Sequence, residues 1–120
     1  MNRFNFFRFA FYSAILVIEF LATTTVEIKP IENSWDKANH FIAFFYLYVA
    51  LYFAYPRLGN IGIITILLLF AIQIEIVQYF IPGRYFSLLD IVADGVGIVL
   101  GMIIVRVLLK IRLTSHLFKI

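Results

Sequence analysis

Four runs of apolar residues constrain this chain more than anything else in it. They cover residues 9–25, 37–55, 60–81 and 88–109. The hydrocarbon core of a bilayer is about 30 Å thick and takes roughly 20 helical residues, with about 17 as a lower bound. Inside lipid every backbone N–H and C=O must find its partner within the segment, which a helix provides. The alternating pattern of a transmembrane barrel is absent. Composition points the same way: 63% of the 120 residues are hydrophobic and only 14% charged. A soluble domain carries about 45–50% apolar and about 25% charged residues. So few charges could not cover so much apolar surface in a soluble fold of this length, and so apolar a chain is not disordered. With no cysteine, disulfides and thiolate metal sites are excluded. The expected fold is one all-α integral membrane domain over 1–120, a bundle of four transmembrane helices.

The punctuation between the runs agrees. Pro56 and Gly59 separate the second and third, and Pro82 and Gly83 the third and fourth. Arg3 and Arg8 before the first run imitate a signal peptide. Glu19 inside that run argues against one, so it reads as the first span. The basic residues then set the orientation. One side holds Arg3, Arg8, Arg57, Arg106, Lys110, Arg112 and Lys119, the other Lys29, Lys37 and Arg84. By the positive-inside rule, seven against three puts both termini in the cytoplasm. The basic balance follows from topology and implies no nucleic-acid partner. The tail after Arg106 alternates basic and apolar residues, as the snorkelling end of the fourth helix or a segment lying on the inner surface would.

In this topology every acidic residue falls on the outer half. Counted at 1.5 Å per residue, Glu19, Glu75 and Asp94 lie roughly 10 Å below the outer interface, with His40 and Gln78 somewhat shallower. Asp36 and His40 are i, i+4 and share a helix face, as do Glu75, Gln78 and Tyr79. Asp90, Asp94, Gly97 and Gly101 form one stripe. Its glycines allow a neighbouring helix to approach closely, so the face bearing the aspartates is expected to pack inward. Intramembrane charges cost several kcal/mol unless paired or hydrated, and so tend to mark a site.

Structural explanations compete at most of these positions. Ser87-x-x-Asp90 matches a capping box, so Asp90 has an alternative as a helix cap, and Asn33 or Ser34 has the same alternative on the second helix. Asp36, Lys37 and His40 have an alternative as wet interfacial residues. Glu19 has one in a neighbouring partner or in snorkelling. Trp35, Tyr79 and Tyr85 read as interfacial anchors. Glu75 and Asp94 are deep and have no capping explanation. Gln73 is also deep but points about 200° away from Glu75. Arg84, in the outer Pro82-Gly83-Arg84 turn, suits either an anionic head group or an internal salt bridge.

Asp36-Lys37-Ala38-Asn39-His40-Phe41, Glu75-Ile76-Val77-Gln78, Pro82-Gly83-Arg84, and Asp90 with Gly97 and Gly101 together resemble the VanZ-like family of small multi-pass bacterial membrane proteins. The resemblance covers roughly residues 36–101, rests on order and spacing, and takes nothing from the first span. It implies a location in the bacterial cytoplasmic membrane. The family is named for a protein associated with resistance to the glycopeptide teicoplanin; the resemblance supplies a family and a membrane face, but no reaction. Position 94 is more often asparagine in the family pattern, and Asp94 here adds a carboxylate.

Three functions follow for comparison. In the first, an outer-leaflet pocket binds an anionic lipid, a lipid-linked cell-wall intermediate or a lipophilic glycopeptide. Lys37 and Arg84 meet the head group, and Asp36, His40, Glu75, Gln78, Asp90 and Asp94 form the polar floor. In the second, the chain is an intramembrane enzyme, with His40, Glu75 and Asp94 as candidates for acid–base or metal chemistry. No HExxH or GxSxG motif supports that reading, and the spacing assigns no metal ligands and no cofactor. The third, ion transport, is weakest, because the inner half carries no polar chain to complete a path.

Overall fold

The computed structural model describes residues 2–23, 34–82 and 86–117, with the side chains of residues 34–36 and 113–117 outside the description. The described residues are helical, with no strand among them: α1 (Arg3–Thr23), α2 (Ser34–Ala54), a short 3-10 turn (Pro56–Leu58), α3 (Gly59–Tyr79) and α4 (Leu88–Leu117). The molecule is elongated, with extents of 60 × 28 × 26 Å. α1 begins six residues before the expected 9–25 run, so Arg3 and Arg8 are helical. α4 is 30 residues long and continues past the expected end at 109 through Arg112. The basic tail therefore extends the fourth helix at least to Leu117.

Local chemistry explains the breaks. Pro56 opens the 3-10 turn, where a missing N–H is harmless. Gly59 then takes φ +73, a left-handed conformation that only glycine adopts without strain. At the far end of α3 the helix tightens: Phe80 N–H donates to Val77 O (3.0 Å) and Ile81 N–H to Gln78 O (3.1 Å), just before Pro82.

Three segments are long and apolar enough to cross a membrane: Arg3–Thr23, Pro56–Tyr79 and Leu88–Arg112. Their outward faces bear large apolar side chains such as Phe9, Leu16, Phe20, Ile61 and Leu69, all exposed. In water that surface would be unstable, whereas lipid is its natural surroundings. α2 is the central helix and packs against the other three. Phe44, Leu47, Tyr48, Ala50, Leu51 and Ala54 are buried on it. α2 is not among the three segments apolar enough to cross a membrane by themselves.

The tightest seam joins α2 to α4. A Cβ added at Gly97 would run into the Phe41 carbonyl oxygen and lie 3.1 Å from Phe45 N. One added at Gly101 would lie 2.7 Å from Tyr48 Cβ. The two glycines allow the backbones to touch, and that contact sets how closely the residues one turn earlier on α4 approach α2.

Candidate functional site

The residues of interest meet where α2 and α4 begin and α3 ends. His40 and Asp94 are each the seventh residue of their helix, so the glycine seam brings them opposite one another. His40 Nδ1 lies 2.9 Å from Asp94 Oδ1. On the other edge of the ring, His40 Nε2 lies 3.7 Å from Asp90 Oδ2. Lys37, one turn before His40, places its Nζ 3.8 Å from Asp90 Oδ1. Asp90 and Asp94 are i, i+4 on α4 and present both carboxylates to this one face of α2.

Glu75 enters from α3. Its Oε1 accepts the backbone N–H of Ser87 at 2.9 Å, while Ser87 Oγ accepts the N–H of Asp90 at 3.3 Å. Ser87 is thus the N-cap of α4, but only half of the expected capping box is present. The carboxylate that reciprocates is Glu75, from another helix. Asp90 is left free to turn toward His40 and Lys37. This resolves the two readings of Asp90: it occupies the cap sequence, and its carboxylate belongs to the polar centre. The Ser87 backbone N–H as Glu75's partner is hidden in the sequence, because the Ser-x-x-Asp pattern points to Asp90.

Five ionisable residues therefore converge: Lys37, His40, Glu75, Asp90 and Asp94. Glu75 and Asp94 are fully buried, and Asp90 nearly so. Among the described residues, Glu75 Oε2 and Asp94 Oδ2 are buried with no hydrogen-bond partner. Such atoms normally find one. One ligand atom each from His40, Glu75 and Asp90 lies within 4.8 Å of the other two. The arrangement offers an imidazole nitrogen and carboxylate oxygens to one small volume, which suits a divalent cation or acid–base work.

Other expected members stand elsewhere. Glu19 is not in the cluster; its Oε1 accepts the side-chain N–H of Gln73 at 2.9 Å, joining α1 to α3. Gln78 is buried, but its amide donates to Ala22 O at 3.1 Å, a second tie from α3 to α1. Arg84 and the side chain of Asp36 lie outside the described residues, as do the Trp35 side chain and Tyr85. Tyr79 and Phe80 at the end of α3 and Leu88 and Leu89 at the start of α4 are exposed. At the opposite end of the bundle a cavity of about 600 Å³ is lined by Phe4, Arg8, Tyr55, Pro56, Arg57 and Leu58. There Arg8 lies over the Tyr55 ring at 4.6 Å and donates to Ala54 O at 3.3 Å.

Comparison with known proteins agrees with the resemblance and widens it. A family model described as VanZ/LLP1 matches residues 1–110, which takes in α1 as well as the three helices that carry the motifs. Neither a curated protein nor a solved structure matches the chain. With nearly its whole length matched, and with three helices apolar enough to span a bilayer, the chain is a membrane protein that belongs to the VanZ/LLP1 family.

Proposed function

We propose that the chain is a four-span protein of the bacterial cytoplasmic membrane that binds the polar head group of a lipid-like envelope molecule from the outer leaflet. An anionic lipid, a lipid-linked cell-wall intermediate and a lipophilic glycopeptide of the teicoplanin type share the chemistry required, an anionic head on an apolar body. The observation that carries this reading is Lys37 at the edge of the polar centre. Its side chain is 37% exposed, and its Nζ stands 3.8 Å from Asp90, beyond hydrogen-bond range. Among the described residues the ammonium has only this long ion pair with Asp90, which leaves donors that an arriving anion can take up. Arg84, three residues before Ser87 in sequence, would be a second cation in this reading, and the exposed apolar side chains at the end of α3 and the start of α4 suit a hydrocarbon chain. The basic asymmetry of the loops supports both termini inside.

Two experiments test this. The chain has no cysteine, so each introduced thiol is unique. Cysteines beside Lys29 and Arg84 are expected to react with an impermeant thiol reagent on intact cells, and one beside Lys119 is not. The reverse pattern would place the centre on the wrong side for an outer-leaflet ligand. For binding, Arg84→Ala is expected to lose most of the anionic lipid retained through detergent purification, read by mass spectrometry, while its unfolding midpoint stays near wild type. Arg84→Lys keeps the charge without the bidentate fork and should recover only part of it. Equal lipid retention in all three proteins would remove Arg84 from the head-group reading.

The 2.9 Å contact between His40 and Asp94 favours one further reading. A carboxylate-oriented imidazole beside a second and third carboxylate is the arrangement of an acid–base catalyst. Turnover of a lipid-linked phosphate or ester by purified protein, abolished in His40→Gln, would establish it.

A further inference from the structure

We propose that His40, Glu75 and Asp90 form a binding site for one divalent transition cation, Mn²⁺ or Zn²⁺, with Asp94 as the positioning residue behind the histidine. The inference stands on the geometry of the cluster and does not depend on the head-group reading.

Three observations support it together. First, three helices bring ligand atoms of His40, Glu75 and Asp90 within 4.8 Å of one another, and the His40 Nε2 to Asp90 Oδ2 separation is 3.7 Å. Two ligands at about 2.1 Å from one metal lie roughly 3–3.5 Å apart at tetrahedral or octahedral angles, so small side-chain movements close the set. Second, Glu75 is fully buried, and its Oε2 has no hydrogen-bond partner among the described residues. Its other oxygen is held by Ser87 N–H at 2.9 Å, which fixes the carboxylate in place. Third, His40 is oriented as metal-binding histidines are. With Nδ1 protonated it donates to Asp94 Oδ1 at 2.9 Å, and the Nε2 lone pair is then left on the edge of the ring that faces Asp90 Oδ2, 3.7 Å away. A ligating histidine nearly always gives its second ring N–H to a carboxylate or carbonyl.

Charge supports the same conclusion. The three carboxylates of Glu75, Asp90 and Asp94, the Lys37 ammonium and one divalent cation sum to zero, which is the least costly arrangement for ions held inside a membrane bundle. The mixed donor set selects the metal class. An imidazole with carboxylates suits borderline cations and disfavours calcium, which takes oxygen ligands alone. Three protein ligands leave coordination positions for water or for an oxygen of an arriving molecule. Lys37 needs only to release a long contact with Asp90 to make room.

The probes are Mn²⁺ and Zn²⁺ alone, added to the full chain in detergent after chelator treatment and dialysis. Calorimetry should show one equivalent bound per chain. Pulsed electron paramagnetic resonance of the Mn²⁺ form should show coupling to one imidazole nitrogen. Glu75→Gln and His40→Gln should each weaken binding by at least about 10-fold, and Asp94→Asn by about 10- to 100-fold, the usual cost of losing a partner behind a ligand. Glu19→Gln, which alters an acid outside the cluster, should bind as wild type. Folding of each variant is checked by size exclusion. If a variant fails to fold, the nitrogen coupling in the wild-type protein still decides the matter. No stoichiometric binding by the wild type, Mn²⁺ bound without nitrogen coupling, or undiminished binding by folded Glu75→Gln would each overturn the site. Lipid retention, measured separately, reports on the head-group reading whichever way the metal result falls.

Discussion

His40→Ala is expected to destabilise the folded protein by about 3 kcal/mol, the cost of leaving a buried carboxylate without its hydrogen-bond partner. The reason lies with Asp94. That residue is fully buried, its Oδ2 already lacks a hydrogen-bond partner among the described residues, and its Oδ1 has the His40 ring at 2.9 Å. Truncating the ring leaves the whole carboxylate in a low-dielectric interior with nothing to meet it. The measurement is unfolding by a denaturing detergent, with chelator present so that no cation substitutes for the lost ring. A double variant, His40→Leu with Asp94→Leu, removes both polar groups and should be less damaged than the single change. Together with the single variants His40→Leu and Asp94→Leu it completes a cycle that isolates the coupling between the two residues. If His40→Ala unfolds at the wild-type midpoint, the histidine is a solvated surface residue and the polar centre has no structural cohesion.

Gly97→Ala should be nearly as damaging, at about 2–3 kcal/mol, by an unrelated mechanism. Its new methyl would meet backbone atoms, the Phe41 carbonyl oxygen and, at 3.1 Å, Phe45 N. Backbone does not step aside as a flexible side chain does, so α4 must move away from α2, the cost typical of overpacking. Gly95→Ala is the matched control on the same helix. Nothing lies within 4 Å of its added Cβ, so it should be neutral or stabilising by up to about 1 kcal/mol, the intrinsic preference for alanine in a helix. The consequence reaches the polar centre. Asp94 is one turn before Gly97, and separating the helices lengthens the contact between His40 and Asp94. Gly97→Ala should therefore also lower Mn²⁺ affinity, and Gly95→Ala should not. Equal stability for the two variants, measured by the same unfolding assay, would mean that α2 and α4 do not meet backbone to backbone at this seam.

Much of the architecture is legible in the amino-acid sequence alone. Length and hydropathy mark the apolar helices because a bilayer imposes one dimension and one backbone solution on whatever crosses it. The stripe of Asp90, Asp94, Gly97 and Gly101 is legible as well, since helical periodicity alone places four residues on one face and small residues allow that face to pack. What periodicity leaves open is which face of which other helix arrives there. Glu19 and Glu75 fall at similar depths by residue count, yet Glu19 turns to Gln73 and Glu75 to the start of α4. Gln78 shares a face with Glu75, yet its amide reaches α1. The division of labour at Ser87 is of the same kind. Local sequence offers Asp90 as the reciprocal cap, and only the packing of α3 against α4 brings in Glu75 and releases Asp90 toward His40. Depth and periodicity follow from one helix at a time, so composition and spacing determine them. Pairing across helices depends on the rotation and offset of each helix against its neighbours. Those quantities are settled by the whole set of contacts in the bundle and above all by where Gly97 and Gly101 let two backbones meet.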